Sequence, residues 1–347
     1  MSAISLPNQS SVANQSSLAL PRPTRDIEEG KRQLDEYGLA VHEGFLSPDQ
    51  TKLLRDLLLE QAELEGAQGV ALVSGQSRGG KTWFGHIEPG QRPGWQGVPA
   101  LYNKGRPFLD VVMDPRLHAY AGHAFKGVPF NLSALTGLIV RRGAEPMVVH
   151  VDQQFVPFPT PTPLFLNVMI CLTEFEDVMG ATRVVPGSHT WPFPKQAFDA
   201  ERGVYNPEPI ETVPVECPAG SAILFESRTW HQSGISNSDK TRVSFSTLWS
   251  QFWVKPMDNI VESLHEDVYR ALSDEEREIL GFRSAPCNRI EARSSSGRQN
   301  TNRKTPYVPE LRHDGLGCAV PLDGMGDRPA LADVAQAQGL SAAQKAP

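Results

Sequence analysis

Apolar positions change their rhythm along this chain. In the first quarter they recur every three or four residues. Leu53, Leu54, Leu57, Leu58 and Ala62 make one stripe at helical spacing. Ahead of it stand Ser47 as an N-cap, Pro48 at the first helical position and Gln50 to complete a capping box. Together they predict a helix that ends at Gly66. A shorter helix is predicted over Ile27–Tyr37 and stops at Gly38. From about Ser133 the pattern becomes short apolar runs separated by Gly, Pro, Asn and Asp. Ala134–Arg142, Met147–Gln153, Leu164–Leu172, Ala181–Val185, Glu211–Glu216, Ser221–Phe225, His231–Ile235 and Arg242–Val254 read as strands. About eight short strands with no amphipathic helix between them predict a mainly β protein with flanking helices, its core a jelly roll. After Pro256 helical spacing returns in Ile260, Leu264, Val268 and Leu272. A second capping box follows at Ser273 and Glu276, and Gly281 ends that helix.

Composition sharpens the outline. Residues 1–24 are rich in Ser, Asn, Gln and Pro and read as a disordered tail. Residues 25–290 are expected to form a single jelly-roll domain with helices at both ends. Residues 291–347, turn-rich and then Ala/Gln-rich, read as a partly flexible extension. The chain is 39% hydrophobic and 21% charged, enough for a sizeable core. A net charge of −7 argues against a general nucleic-acid binder. No run approaches the ~20 apolar residues of a membrane span. The four cysteines are scattered with no Cys-x-x-Cys pair, which argues against a zinc ribbon or a dithiol redox site. Few cysteines and no secretory leader suggest a reduced, cytoplasmic setting.

The candidate chemistry lies in the β-rich half. On a strand, His150 and Asp152 share one face while Val149 and Val151 share the other. His231 follows on a later strand and Arg242 after that. Two imidazoles and one carboxylate suit a non-heme Fe(II) centre with open positions. A zinc hydrolase would use the same donor types, and a non-catalytic jelly-roll binding protein remains a third reading. His118 and His123 lie five apart, a poor spacing for one helix face. Gly75–Thr82 matches the phosphate-loop pattern Gly-x4-Gly-Lys-Thr. That chemistry needs a helix to open at Lys81-Thr82, and the prolines and glycines of Pro89-Gly90 and Pro93-Gly94 oppose one. The stretch reads better as a loop that could cover a site.

His150-Val151-Asp152-Gln153, Gly180-Ala181-Thr182, Pro186-Gly187-Ser188-His189, His231-Gln232-Ser233-Gly234 and Arg242, in that order, resemble the phytanoyl-CoA dioxygenase family. The resemblance runs from about Gly38 to Trp253 and takes in Leu101-Tyr102-Asn103-Lys104-Gly105-Arg106. It implies an Fe(II)- and 2-oxoglutarate-dependent oxygenase that uses O2 on a small-molecule substrate. By position it implies His150, Asp152 and His231 as iron ligands, with Arg242 and Ser233 on the distal carboxylate of 2-oxoglutarate. Asn167 and Asn103 are candidates to touch the co-substrate. Phe155, Trp191, Trp230 and Lys104 are candidates for the substrate pocket. His189 is expected to be a structural hydrogen-bonding residue. Asp152 retains the carboxylate that related halogenases lack.

Overall fold

Two capped helices lead into the sheets. Asp26 accepts from the backbone N–H groups of Glu28 and Glu29 at the start of α1 (Ile27–Tyr37). Gly38 ends that helix at φ +67°, a left-handed conformation that glycine adopts without strain. The expected capping box of Ser47 and Gln50 opens α2 (Pro48–Ala67). The computed structural model describes residues 19–76, 82–86, 92–147, 149–153, 156, 160–191, 198–199, 204–205 and 210–282. Its other elements are β1 (Leu39–His42), β2 (Leu72–Gln76), β3 (Thr82–His86), β4 (Trp95–Val98), α3 (Arg106–Val112), α4 (Pro115–Ala124) and β5 (Phe130–Val140). Then come β6 (Phe165–Cys171), β7 (Thr182–Val184), β8 (Phe198–Asp199), β9 (Val204–Tyr205), β10 (Val213–Pro214), β11 (Ala222–Glu226), β12 (His231–Ser233) and β13 (Arg242–Gln251). The last are α5 (Ile260–Ser263), α6 (Glu266–Ala271) and α7 (Asp274–Ile279).

The larger sheet runs β1-β11-β6-β13-β5-β4-β2-β3, and the smaller runs β10-β7-β12. An isolated antiparallel bridge between His150 and His231 extends the smaller sheet by one residue pair. Antiparallel pairing throughout both sheets is the jelly-roll arrangement that the strand texture predicts.

The faces of β6 and β13 place the site. Leu166, Val168 and Ile170 on β6 and Val243 and Phe245 on β13 belong to the main core, with α2, α3 and α4. The alternate positions face the space between the sheets. Some are apolar, such as Met169 and Cys171 in the inner cluster with Val184, Ile223 and Phe225. Asn167, Arg242, Ser244 and Ser246 share that face. Polar side chains on a buried face cost free energy unless something bonds them. Gly137 on β5 lets α2 close on the other face, since a Cβ there would lie 2.3 Å from Leu58 Cδ1.

Several expectations change. The described residues of Met147–Gln153 do not form a strand: Pro146 brings no N–H, only His150 among them bridges, and the chain turns at Asp152-Gln153. The helix expected from Ile260 to Leu272 breaks at Leu264-His265, where the His265 N–H goes to the Asn103 side chain. Residues 19–24 do not all belong to a tail, because Thr24 bridges His42. Residues 1–18 and the residues beyond 282, the expected C-terminal extension among them, lie outside the described residues. In the phosphate-loop match, Gly75-Gln76 ends β2, and Thr82 opens β3, its antiparallel partner. A strand stands where a nucleotide site needs a helix. No helix among the described residues is long and apolar enough to cross a membrane.

Candidate metal centre

His150, Asp152 and His231 converge. One ligand atom from each lies within 4.8 Å of the others, and they form the one such group among the described residues. Asp152 Oδ1 is 3.8 Å from His150 Nε2 and 3.5 Å from His231 Nε2. Adjacent ligands of one ion stand roughly 3 Å apart for bonds of roughly 2.1 Å. Small inward shifts would bring all three onto a common cation.

Backbone pairing fixes the approach. His150 and His231 exchange N–H···O bonds of 2.9 Å in both directions, which sets their rings side by side with centroids 4.3 Å apart. His231 Nδ1 lies 3.0 Å from the Thr229 carbonyl oxygen, so Nδ1 carries the proton and Nε2 presents a lone pair. Phe225 also packs against the His231 ring, 4.5 Å between centroids. Gln153 holds the turn after Asp152. Its Oε1 accepts from the Ser227 hydroxyl at 2.7 Å and from Leu164 N–H at 3.2 Å, and its Nε2 donates to Thr160 at 3.0 Å. Sequence reading gave Gln153 no role beyond its place in the motif.

Burial by itself would raise the Asp152 carboxyl. His231, His150 and the Asn167 amide outweigh it and hold the group below the usual carboxylate range. Burial likewise opposes the charged form of His231, yet Asp152 raises its pKa above the ordinary value. A carboxylate between two imidazoles attracts a cation. Protons and a metal ion compete for the same lone pairs.

Arg242 is 2% exposed, and its Nε and Nη1 have no hydrogen-bond partner. The guanidinium lies over the Phe175 ring, 4.7 Å from the centroid. Burial lowers its pKa to about 10, which still leaves it charged at neutral pH. An orphaned buried guanidinium fits a carboxylate, which matches its planar fork of donors. Ser244, two residues on and on the same face, has a fully buried Oγ with no partner. No motif marked it; only the strand alternation from Arg242 could have. Cys171 and Cys217, distant in sequence, lie beside Arg242 with sulfurs 3.6 Å apart. Burial and Cys217 push the Cys171 thiol well up, the state of an inert core cysteine.

The remaining candidates separate. Ser233 lies on the His231 face of β12, and its Oγ accepts from Met147 N–H at 3.1 Å. Asn167 meets the centre through Asp152, donating from Nδ2 to Oδ2 at 3.3 Å. Asn103 is a correction. Its Nδ2 donates to the Ser263 carbonyl at 2.7 Å and its Oδ1 accepts from His265 N–H at 2.9 Å, so it ties down the C-terminal helices. Lys104 is another, because its Nζ is 2.6 Å from Glu65 Oε1 in a buried ion pair. Trp230 is a third. It is 2% exposed and packs with Val151 and Val185 in a small apolar cluster, with Trp191 partly buried against them. Phe155 lies outside the described residues. His189 Nε2 is 3.2 Å from the Asp35 carbonyl oxygen, a structural contact.

Similar proteins share this frame. "Dioxygenase ALT11" of Alternaria alternata is 28% identical over 300 residues, 82% of this chain and 91% of that protein. "Dioxygenase af480" of Aspergillus fumigatus is 26% identical over 261 residues, 75% of this chain and 78% of that protein. Among solved structures, the carbocyclase SnoK from nogalamycin biosynthesis superposes with a TM-score of 0.51 at 19% identity, over 73% of this chain and 94% of that one. The epimerase SnoN, in complex with Fe3+, alpha ketoglutarate and nogalamycin RO, gives 0.51 at 20% identity, over 72% and 92%. Those likenesses establish the fold alone, a jelly roll. The family model described as "Phytanoyl-CoA dioxygenase (PhyH)" matches residues 34–244. The chain belongs to the phytanoyl-CoA dioxygenase family.

Proposed function

We propose that this protein is an Fe(II)- and 2-oxoglutarate-dependent oxygenase that hydroxylates a C–H bond of a small, largely apolar organic molecule. The observation that carries the reading is the pairing of two features: a convergent His150–Asp152–His231 donor set and, on the inner face of the same sheet that carries Asn167, a buried guanidinium whose Nε and Nη1 have no hydrogen-bond partner. A zinc hydrolase would account for the first feature and leave Arg242 unexplained. SnoN, with nogalamycin RO in its complex, is a precedent for this fold receiving a free small molecule.

In this reading His150, Asp152 and His231 are the residues that would hold the iron. When bound, iron with 2-oxoglutarate and O2 supplies the oxidising power for hydroxylation, releasing succinate and CO2. The protein's own work is placement. Arg242 receives the distal carboxylate of 2-oxoglutarate in a dry interior where the fork and the charge both count. Ser233 and Ser244 offer hydroxyl groups to the same co-substrate. The Thr229 carbonyl keeps the His231 proton on Nδ1, away from the centre.

The test is a substrate panel scored by succinate release, with protein loaded anaerobically with Fe(II) and then given 2-oxoglutarate and O2. Turnover should require all three additions. His150→Ala and His231→Ala should abolish it while the variants unfold cooperatively near the wild-type midpoint. Zinc-supported hydrolysis that needs no 2-oxoglutarate would overturn the proposal.

A further inference from the structure

Asp152 uses its two carboxylate oxygens differently. Oδ1 faces the histidine Nε2 atoms at 3.8 and 3.5 Å. Oδ2 instead accepts from Asn167 Nδ2 at 3.3 Å. Asn167 is itself held, since its Oδ1 accepts from the Ser246 hydroxyl at 2.6 Å. Asn167 and Ser246 sit on neighbouring strands, β6 and β13, where Ser246 stands opposite Met169 and Asn167 opposite Leu248.

The direction of this chain follows from chemistry. A carboxylate oxygen only accepts, an amide has one donor end and one acceptor end, and a hydroxyl can do either. The NH2 end of Asn167 must therefore face Asp152, and Ser246 must donate to the other end. Packing does not require a polar residue here: the next inward positions of β6 are Met169 and Cys171, both in the apolar inner cluster. Asn167 is not one of the three ligands, and its amide is spent on one of them.

We infer that Asn167 and Ser246 are positioning residues that commit Asp152 to binding a metal through one oxygen. The inference rests on the proposed metal centre. A carboxylate whose second oxygen is free can turn and take a second coordination position, one that the co-substrate or O2 would need. With Oδ2 engaged by Asn167, that turn costs a hydrogen bond, and a second one to Ser246 weakens with it.

Cobalt(II) is the probe, because its visible absorption reports coordination number and geometry. Wild type, Asn167→Ala, Ser246→Ala, the double variant and Ser246→Thr are titrated with Co(II) in the absence of 2-oxoglutarate. Asn167→Ala should weaken Co(II) binding by ~10–100-fold, the usual scale for a group that orients a metal ligand, and should alter the absorption bands. Ser246→Ala should move both in the same direction by less. The double variant should match Asn167→Ala, because the serine acts only through the amide. Ser246→Thr keeps the hydroxyl and should restore wild-type affinity and spectrum. If Asn167→Ala does not fold, the Ser246 pair decides the matter alone. Variants that lose thermal stability but keep the wild-type Co(II) affinity and spectrum would overturn the inference. Wild-type Co(II) binding that survives His150→Ala and His231→Ala would instead overturn the metal centre itself, and the inference with it.

Discussion

Lys104 and Arg242 are both cations taken out of water, and they end differently. The Lys104 side chain is 4% exposed and closes at 2.6 Å on Glu65, whose side chain is fully buried. Burial pushes the Glu65 carboxyl up while Lys104 and Gln61 pull it down. Arg242 is as deeply buried, yet the protein gives its Nε and Nη1 nothing to bond. A buried charge that the fold neutralises belongs to the scaffold. One that the fold leaves open is costly until a ligand arrives. The same contrast separates Asn103, whose amide is spent on the C-terminal helices, from Asn167, whose amide is spent on Asp152.

Stability measurements can break this comparison. Lys104→Ala strands Glu65 without its cation and should lower the unfolding free energy by about 3–5 kcal/mol. Arg242→Ala removes a charge that has no protein carboxylate or hydrogen-bond acceptor on Nε and Nη1, only the face of the Phe175 ring. In metal-free protein it should leave that free energy within about 1 kcal/mol of wild type, or raise it. Urea unfolding of both variants checks the difference, and equal losses would erase the distinction.

A smaller effect is expected at Asn103. Asn103→Ala unpairs the Ser263 carbonyl and the His265 N–H and should cost about 1–3 kcal/mol, while the folded variant saturates with 2-oxoglutarate as wild type does. A raised co-substrate requirement would return Asn103 to the site.

The smallest effect is a pH dependence on the Lys104 side. Burial raises the Asp258 carboxyl to about 6, against the Leu135 backbone N–H and the Lys104 charge. The folded state therefore keeps this proton to higher pH than the unfolded chain, where the carboxyl titrates near ~3.9. Its contribution to stability is greatest below that value, falls as pH rises to about 6, and is level above. Asp258→Asn should remove that slope and stabilise the protein at pH 7 by about 1–2 kcal/mol. Identical pH profiles for variant and wild type would contradict the assignment.

The sequence made the convergent part of this molecule legible and left the rest obscure for physical reasons. The α1 and α2 boundaries follow from local chemistry, and both were readable from Gly38, Ser47, Pro48 and Gln50. The ladder strands β5, β6, β11 and β13 announce themselves through β-branched apolar runs. The ligands were readable because residue type and order suffice to nominate them. Their support was not. Gln153, Ser244 and Ser246 are ordinary polar residues whose roles depend on neighbours far along the chain. Asn103 and Lys104 looked like site residues because a motif neighbourhood does not tell which partner a polar group will meet. The segment around His150 reads as a strand by composition, yet Pro146 and the turn at Asp152 limit it to one bridge. β1, β3 and β4 escaped notice because they lie among helices, where short apolar runs are ambiguous.

Binding of 2-oxoglutarate tests the central claim most directly. Wild type, Arg242→Ala and Arg242→Lys are loaded anaerobically with Fe(II) and titrated with 2-oxoglutarate by calorimetry, with bound iron measured in each. All three should hold one iron per chain. Arg242→Ala should bind the co-substrate at least ~100-fold more weakly, in line with the roughly 3–5 kcal/mol of a broken buried pair. Arg242→Lys should recover only part of that, because a point charge cannot reproduce the fork. If Arg242→Ala binds 2-oxoglutarate as tightly as wild type, the open guanidinium is not the anchor, and the account of this site fails.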